Sequence, residues 1–152
     1  MRVCVGGTFN VFHKGHRLLL HTGLDQAGPH GFLFVGIATG DLVRLKPHLR
    51  SFDLRRHDVE RYLSKIEKRP NLEIKPITDM FGPTLEKDFD IIVVSPETRA
   101  AADIINSERK ERGLGLLSVV EIPYVMADDG RPIQSSRIIN GEIDKEGKSL
   151  IK

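Results

Sequence analysis

Residues 2–16, Arg-Val-Cys-Val-Gly-Gly-Thr-Phe-Asn-Val-Phe-His-Lys-Gly-His, decide the fold. Val3, Cys4 and Val5 make a short apolar run that Gly6-Gly7 stops. A helical pattern follows, with Leu18, Leu19, Leu20, Leu24 and Ala27 close to a 3.6-residue period and Gly28-Pro29 at its end. The next segment, residues 32–38, is a continuous apolar run, the pattern of a strand covered on both faces and hence of a parallel sheet.

The remaining chain repeats the alternation. Thr39-Gly40-Asp41 breaks the second strand, and a polar connection through Lys46-Pro47-His48 leads to Ser51 or Asp53 as candidate helix caps. Leu54, Tyr62, Leu63 and Ile66 mark a helix that closes before Pro70. Residues 72–77 alternate as a strand, and 78–87 read as a loop or short helix. Asp90 to Ser95 is the clearest buried strand; Ser95 then suits an N-cap and Pro96 the first helical position of a helix carried by Ala101, Ile104, Ile105 and Arg109 to Gly113. A last strand over about 117–125 and a turn at Asp128-Asp129-Gly130 lead to Ser135-Ser136. This order predicts an α/β, Rossmann-like fold: an open, mostly parallel five-stranded sheet with helices on both faces. A single domain is expected over residues 1–144, with 145–152 as a polar tail. Ligands of such sheets bind beyond the carboxyl ends of the strands, so the residues after each strand are the candidates for function.

Composition excludes several classes. At 152 residues, 39% hydrophobic and 29% charged, the chain has the make-up of one ordinary globular domain. The net charge is only +2 and basic residues are interleaved with acids, as in Glu108-Arg109-Lys110-Glu111-Arg112, which argues against nucleic acid as a partner. No apolar run approaches the roughly 20 residues of a membrane span. Val3–Val5 run directly into Gly6-Gly7 with no signal-peptide pattern, so a cytoplasmic protein is expected. The single cysteine, Cys4, cannot form an internal disulfide and reads as core filler.

Gly6 and Gly7 let the backbone approach a phosphate, Thr8 adds a hydroxyl, and N–H groups at the following helix start attract anions. His13 and His16, three apart, share one face, and Gly15 between them keeps that face low. Singly these signals are weak. A Gly-Gly pair after a strand is ordinarily a turn, and the two histidines could be part of a metal site, though no nearby Cys, Asp or Glu supplies a third ligand.

Together they are specific. Gly6-Gly7-Thr8-Phe9 followed by His13-Lys14-Gly15-His16 resembles the signature of the nucleotidyltransferase superfamily that includes phosphopantetheine, nicotinamide-mononucleotide and glycerol-phosphate transferases. Val94-Ser95-Pro96-Glu97-Thr98-Arg99, Asn106 with Arg109, and Gln134-Ser135-Ser136-Arg137-Ile138 resemble the archaeal and eukaryotic-type phosphopantetheine adenylyltransferases, in order, over about residues 2–144. Asn10 stands where that family commonly has Asp and Gln134 where it has Ser, while His13 replaces the Thr of bacterial enzymes.

The resemblance implies in-line transfer of AMP from ATP to 4′-phosphopantetheine, with Mg²⁺ accompanying ATP and no dedicated metal-binding residues. It implies catalytic roles for Thr8, His13, His16 and Lys46, and nucleotide contacts from Gly6, Gly7, Phe9, Gly15, Arg99, Ser135, Ser136 and Arg137. A monomer is expected. Without the resemblance, Lys46 reads as a surface lysine, Arg99 as half of a surface salt bridge and Ser135-Ser136 as a helix cap. The competing functions are a related transferase using CTP or another acceptor, such as glycerol phosphate or nicotinamide mononucleotide, and a nucleotide-binding regulator without catalysis.

Overall fold

The run Arg2–Gly7 forms strand β1 at the centre of a sheet, with Val3 and Val5 buried on one side and Cys4 on the other. The structure is a computed structural model that describes residues 1–151. Strands β2 (Phe32–Ala38), β3 (Asn71–Ile77), β4 (Ile91–Val94) and β5 (Ser118–Glu121) complete a five-stranded sheet in the order β3-β2-β1-β4-β5. Every pairing is parallel.

Helices cover both faces, as the apolar strands require. On one face α1 (Lys14–Ala27) and α2 (Phe52–Ser64) bring Leu20, Leu24, Val59 and Leu63 onto Val3, Val5, Leu33, Val35 and Val93. On the other, α3 (Arg99–Glu111) places Ala102 and Ile105 against Cys4, Phe34, Ile92 and Val94. Leu20 is fully buried, and shortening it to Ala would cost about 2–5 kcal/mol. The strand order reverses between β1 and β4, so a crevice opens beyond their carboxyl ends.

Several expected boundaries move. Ser95 does not cap α3. Thr98 N–H donates to the Ser95 carbonyl (3.0 Å) and Ser95 N–H donates to Thr98 Oγ1 (3.0 Å), so residues 95–98 close a turn and the helix starts at Arg99. Of the two candidate caps for α2, Ser51 is used, its side chain accepting from Leu54 N–H. The buried faces also differ from the expected ones: Leu54 and Ile104 are exposed and Arg55 points inward, while Arg109, one of the expected positions of α3, is buried. The last strand ends at Glu121, earlier than expected.

The C-terminal segment is not a free tail. Ile143, fully buried, packs with Ala127 and Ile133, Glu142 and Leu150 pair through the backbone, and Lys145 and Glu146 reach back to α1. Ile143 and these backbone and ion-pair contacts together seat a short polar segment. Lys152, the last residue of the expected tail, lies outside the described residues. No helix among the described residues is long and apolar enough to cross a membrane.

Candidate active site

The crevice is a cleft of about 640 Å³, and Gly6, Gly7, Thr8, His13, His16 and Lys46 all line it. That size suits a small-molecule ligand. β1 delivers Gly6-Gly7-Thr8, and the chain must then turn sharply into α1. Phe9 makes the turn with φ of +51° while its ring is fully buried beside His16. A Cβ on Gly7 would stand 3.0 Å from that ring, so glycine there admits Phe9 as well as any ligand.

His13 is the N-cap of α1 and lies just before its first turn. Its Nδ1 accepts from Gly15 N–H (3.0 Å), and its own N–H donates to Nδ1 of His16 (3.2 Å), a reciprocal capping box built from two histidines. The imidazoles stack 3.8 Å apart at 20°. Gly15 is required for this arrangement, because a Cβ there would approach His13 Cε1 to 2.8 Å. The space above Gly15 holds the His13 ring, and Gly15 itself lines the cleft.

Since each Nδ1 accepts a backbone proton, each neutral ring carries its own proton on Nε2 and is a hydrogen-bond donor there. Burial, with the nearby Arg17 charge, pulls the His13 pKa down to about 4. Burial also holds His16 well below the usual range, helped by the His13 and Lys46 charges and only partly offset by the nearby Val11 backbone. Both rings are therefore neutral near pH 7. In the unfolded chain they titrate near 6.5, so the unfolded state binds more protons between pH 6.5 and 4. Stability is fully present above about 6.5 and falls as pH drops through that window, by on the order of 3 kcal/mol from His13 alone. Asn also caps helices well, so denaturation of His13→Asn measured against pH should show a shallower acid dependence than wild type. Equal slopes would contradict the buried neutral ring.

The α1 start offers fewer free backbone donors than its position suggests. Lys14 N–H is taken by the Lys145 carbonyl and Gly15 N–H by His13. The imidazole donors stand in their place.

Lys46 reaches the cleft from the loop after β2, and its Nζ donates to Thr8 Oγ1 at 2.9 Å. Asn10 pins that loop. Its Nδ2 donates to the His48 carbonyl (3.1 Å) and its Oδ1 accepts from Arg50 N–H (2.8 Å). An aspartate could accept from Arg50 but could not donate to His48, so Asn10 grips the loop at two points where an aspartate would hold it at one. Arg50, paired with Asp58 at 2.6 Å, closes the clamp through the Asn10 carbonyl (3.0 Å).

Ser135 and Ser136 border the cleft from helix α4 (Ser135–Ile139), but they do not cap it; the N-cap is Gln134. Ser135 Oγ accepts from Val11 N–H and donates to the Val11 carbonyl, both at 3.1 Å, tying α4 to the loop before α1. Gln134 Nε2 donates to Glu97 across the cleft (2.9 Å).

Two expected nucleotide contacts are not brought to the site. Arg99 points outward to Asp103 (3.3 Å) and Glu121 (3.8 Å). Arg137 is buried behind α4, held by Asp129, by Glu142 (3.3 Å) and by the Pro132 carbonyl (2.8 Å), because the turn at 128–130 and the returning C-terminal segment enclose it with acids. There it braces the 128–130 turn and the C-terminal segment against α4. Arg137→Ser should lower the melting temperature by several degrees while ATP affinity of the folded protein, measured by calorimetry, changes little; a selective loss of ATP affinity would reinstate the phosphate contact.

The cleft also has an apolar wall on which none of the expected site residues lies, where Leu42, Met80, Tyr124 and Ile139 remain more than a third exposed. Large apolar residues in segments that follow strands were the available signal. Among the described residues no group of three or more His, Cys, Asp or Glu side chains is placed to hold a metal ion.

A five-stranded parallel sheet with this cleft at its switch point defines an α/β protein of the kind that binds ligands at the carboxyl ends of its strands, and the cytidylyltransferase-like family pattern matches residues 4–141; the chain belongs to that family. It is 40% identical over 148 residues to the phosphopantetheine adenylyltransferase of Methanosarcina acetivorans, covering 97% of this chain and 94% of that one. The enzyme of the same name from Archaeoglobus fulgidus is 38% identical over 151 residues, covering 97% and 98%. Among solved structures, an Archaeoglobus fulgidus protein of unknown function superposes with a TM-score of 0.71 at 31% identity, over 80% of this chain and 89% of that one.

Proposed function

We propose that this chain is a phosphopantetheine adenylyltransferase, which joins AMP from ATP to 4′-phosphopantetheine and releases pyrophosphate, a step of coenzyme A biosynthesis in the cytoplasm. The observation that carries this reading is the meeting of Thr8, His13, His16 and Lys46 in one cleft, in a chain that matches enzymes of that name over nearly its whole length.

The acceptor phosphate is already a nucleophile, so the reaction needs positioning and charge stabilisation, not an acid/base pair. Imidazoles with pKa values far below 7 suit that division, since they donate hydrogen bonds without taking up protons. In this mechanism His13 and His16 donate from Nε2 to phosphate oxygens of ATP. Lys46 moves from Thr8 to bridge the acceptor phosphate and the α-phosphate, and the Thr8 hydroxyl holds the same group. Gly6 and Gly7 keep the floor open to the phosphates, and Ser136, exposed on the first turn of α4, faces the outer phosphates. The apolar wall at Leu42 and Met80 fits the uncharged arm of the acceptor. Mg²⁺ would enter with ATP, whose phosphates and water would supply its ligands, and no step is assigned to the ion.

Pyrophosphate release measured for each pairing of ATP or CTP with 4′-phosphopantetheine, glycerol phosphate or nicotinamide mononucleotide tests the reading. ATP with 4′-phosphopantetheine should exceed every other pair. A preference for CTP or for another acceptor would move the chain to a different activity of the same family.

A further inference from the structure

Arg55 lies on α2 in line with Val59 and Leu63, the stripe that faces the sheet, and it is only 1% exposed. A guanidinium stays charged throughout the physiological range, so a positive charge sits inside an apolar layer. Its partners are all neutral. Nε donates to the Arg50 carbonyl (3.0 Å), and Nη1 donates to the carbonyls of Thr8 (3.0 Å) and Ala38 (2.6 Å). No carboxylate among the described residues pairs with it, and the nearby Asp58 is taken by Arg50. Burial alone acts on its pKa, drawing it below the ordinary value, with no acid acting the other way.

Buried charges are ordinarily paired, so an unpaired one asks for a counter-charge. Thr8 and Ala38 line the cleft at the carboxyl ends of β1 and β2, and Arg55 stands one layer behind them. By drawing both carbonyl oxygens toward itself, the guanidinium keeps their negative ends off the floor where an anion would rest. The third carbonyl, that of Arg50, belongs to the loop that carries Lys46. Charge acts over such a short, water-poor path with little screening.

We propose that Arg55 is a positioning residue whose buried positive charge is answered by the phosphates of the bound substrate, and which fixes the Thr8, Ala38 and Lys46 segments around them. The proposal rests on the phosphate-binding reading of the cleft. Its test compares wild type, Arg55→Lys and Arg55→Gln by melting temperature, with and without saturating pyrophosphate. Wild type should melt higher with pyrophosphate, Arg55→Lys should keep most of that rise, and Arg55→Gln should lose at least half of it. Equal rises in all three would overturn the proposal and leave Arg55 a purely structural residue, as would equal losses in both variants, which would make shape and not charge the cause. No rise in wild type would instead overturn the transferase reading on which the proposal stands. Should a variant fail to fold, arginine-labelled wild type serves: the Arg55 Nε–H resonance should shift on adding pyrophosphate while that of Arg109, bonded to the Gly115 carbonyl on the opposite face, stays in place. An unmoved Arg55 resonance overturns the proposal.

Discussion

Replacing His16 with alanine should lower kcat at saturating substrates by roughly 10²-fold or more, the scale seen when a preorganised donor to a developing charge is removed. The ring is suited to that task because its orientation is settled before substrate arrives. Nδ1 is occupied by the His13 N–H, the stacked His13 ring covers one face, and Phe9 and Phe12 approach from other sides. Burial keeps it neutral, so Nε2–H is the donor it has left. Alanine also removes the acceptor that caps His13, so a loss of rate could have a structural origin. His16→Gln separates the two, because glutamine at this helix position can still accept from the N-cap backbone. The expected result is a similar fall in kcat for both variants, with a melting temperature close to wild type for the glutamine. An unchanged kcat in His16→Ala would remove the residue from the mechanism. With both histidines titrating below neutrality, neither ring should contribute an inflection to the wild-type kcat between pH 6 and 8, leaving only that of the acceptor phosphate, whose second ionisation lies at about 6.

Lys46→Ala should reduce turnover by a comparable factor while ATP affinity measured by calorimetry falls less. Lys46 is exposed and rests on the Thr8 hydroxyl at 2.9 Å, a contact that a phosphate oxygen can replace. Its backbone, by contrast, is not free to wander. Asn10, Arg50 and Arg55 fasten residues 48–50 to the segment after β1, with His48 held at φ of +55°. A lysine on a fixed base with a movable tip suits a group shared between two phosphates, one of which arrives with the acceptor. If ATP affinity alone collapsed and kcat at saturation survived, Lys46 would be an ordinary nucleotide contact and the bridging role would be wrong.

The parts of this molecule that could be read in advance are those set by neighbours in sequence. β1, β2 and β4 are apolar runs ended by Gly-Gly, Thr-Gly or Ser-Pro, and α1 keeps its period to Gly28. The misreadings arose where a local signal was outbid by a distant partner. Ser135 carries the composition of a helix cap, yet its hydroxyl is spent on Val11, 124 residues earlier. Ser95-Pro96 satisfies every rule for a helix start, and the Thr98 hydroxyl turns the chain first. Arg137 occupies a motif position, but Asp129 and Glu142, brought together only by the fold, enclose it. Arg55 was hidden by its charge, since the i, i+4, i+8 stripe it forms with Val59 and Leu63 reads as buried only if an arginine is allowed into it. Asn10 could be noticed as a departure, but not as the donor to His48, because the loop it grips lies 38 residues away.

The most direct test of the account is to incubate the purified protein with ATP, Mg²⁺ and 4′-phosphopantetheine and to follow the products by mass and by pyrophosphate release. The account predicts dephospho-coenzyme A and pyrophosphate in equal amounts, with little product when CTP replaces ATP. Absence of dephospho-coenzyme A while the protein is folded and binds ATP, or faster product formation with CTP, would contradict it.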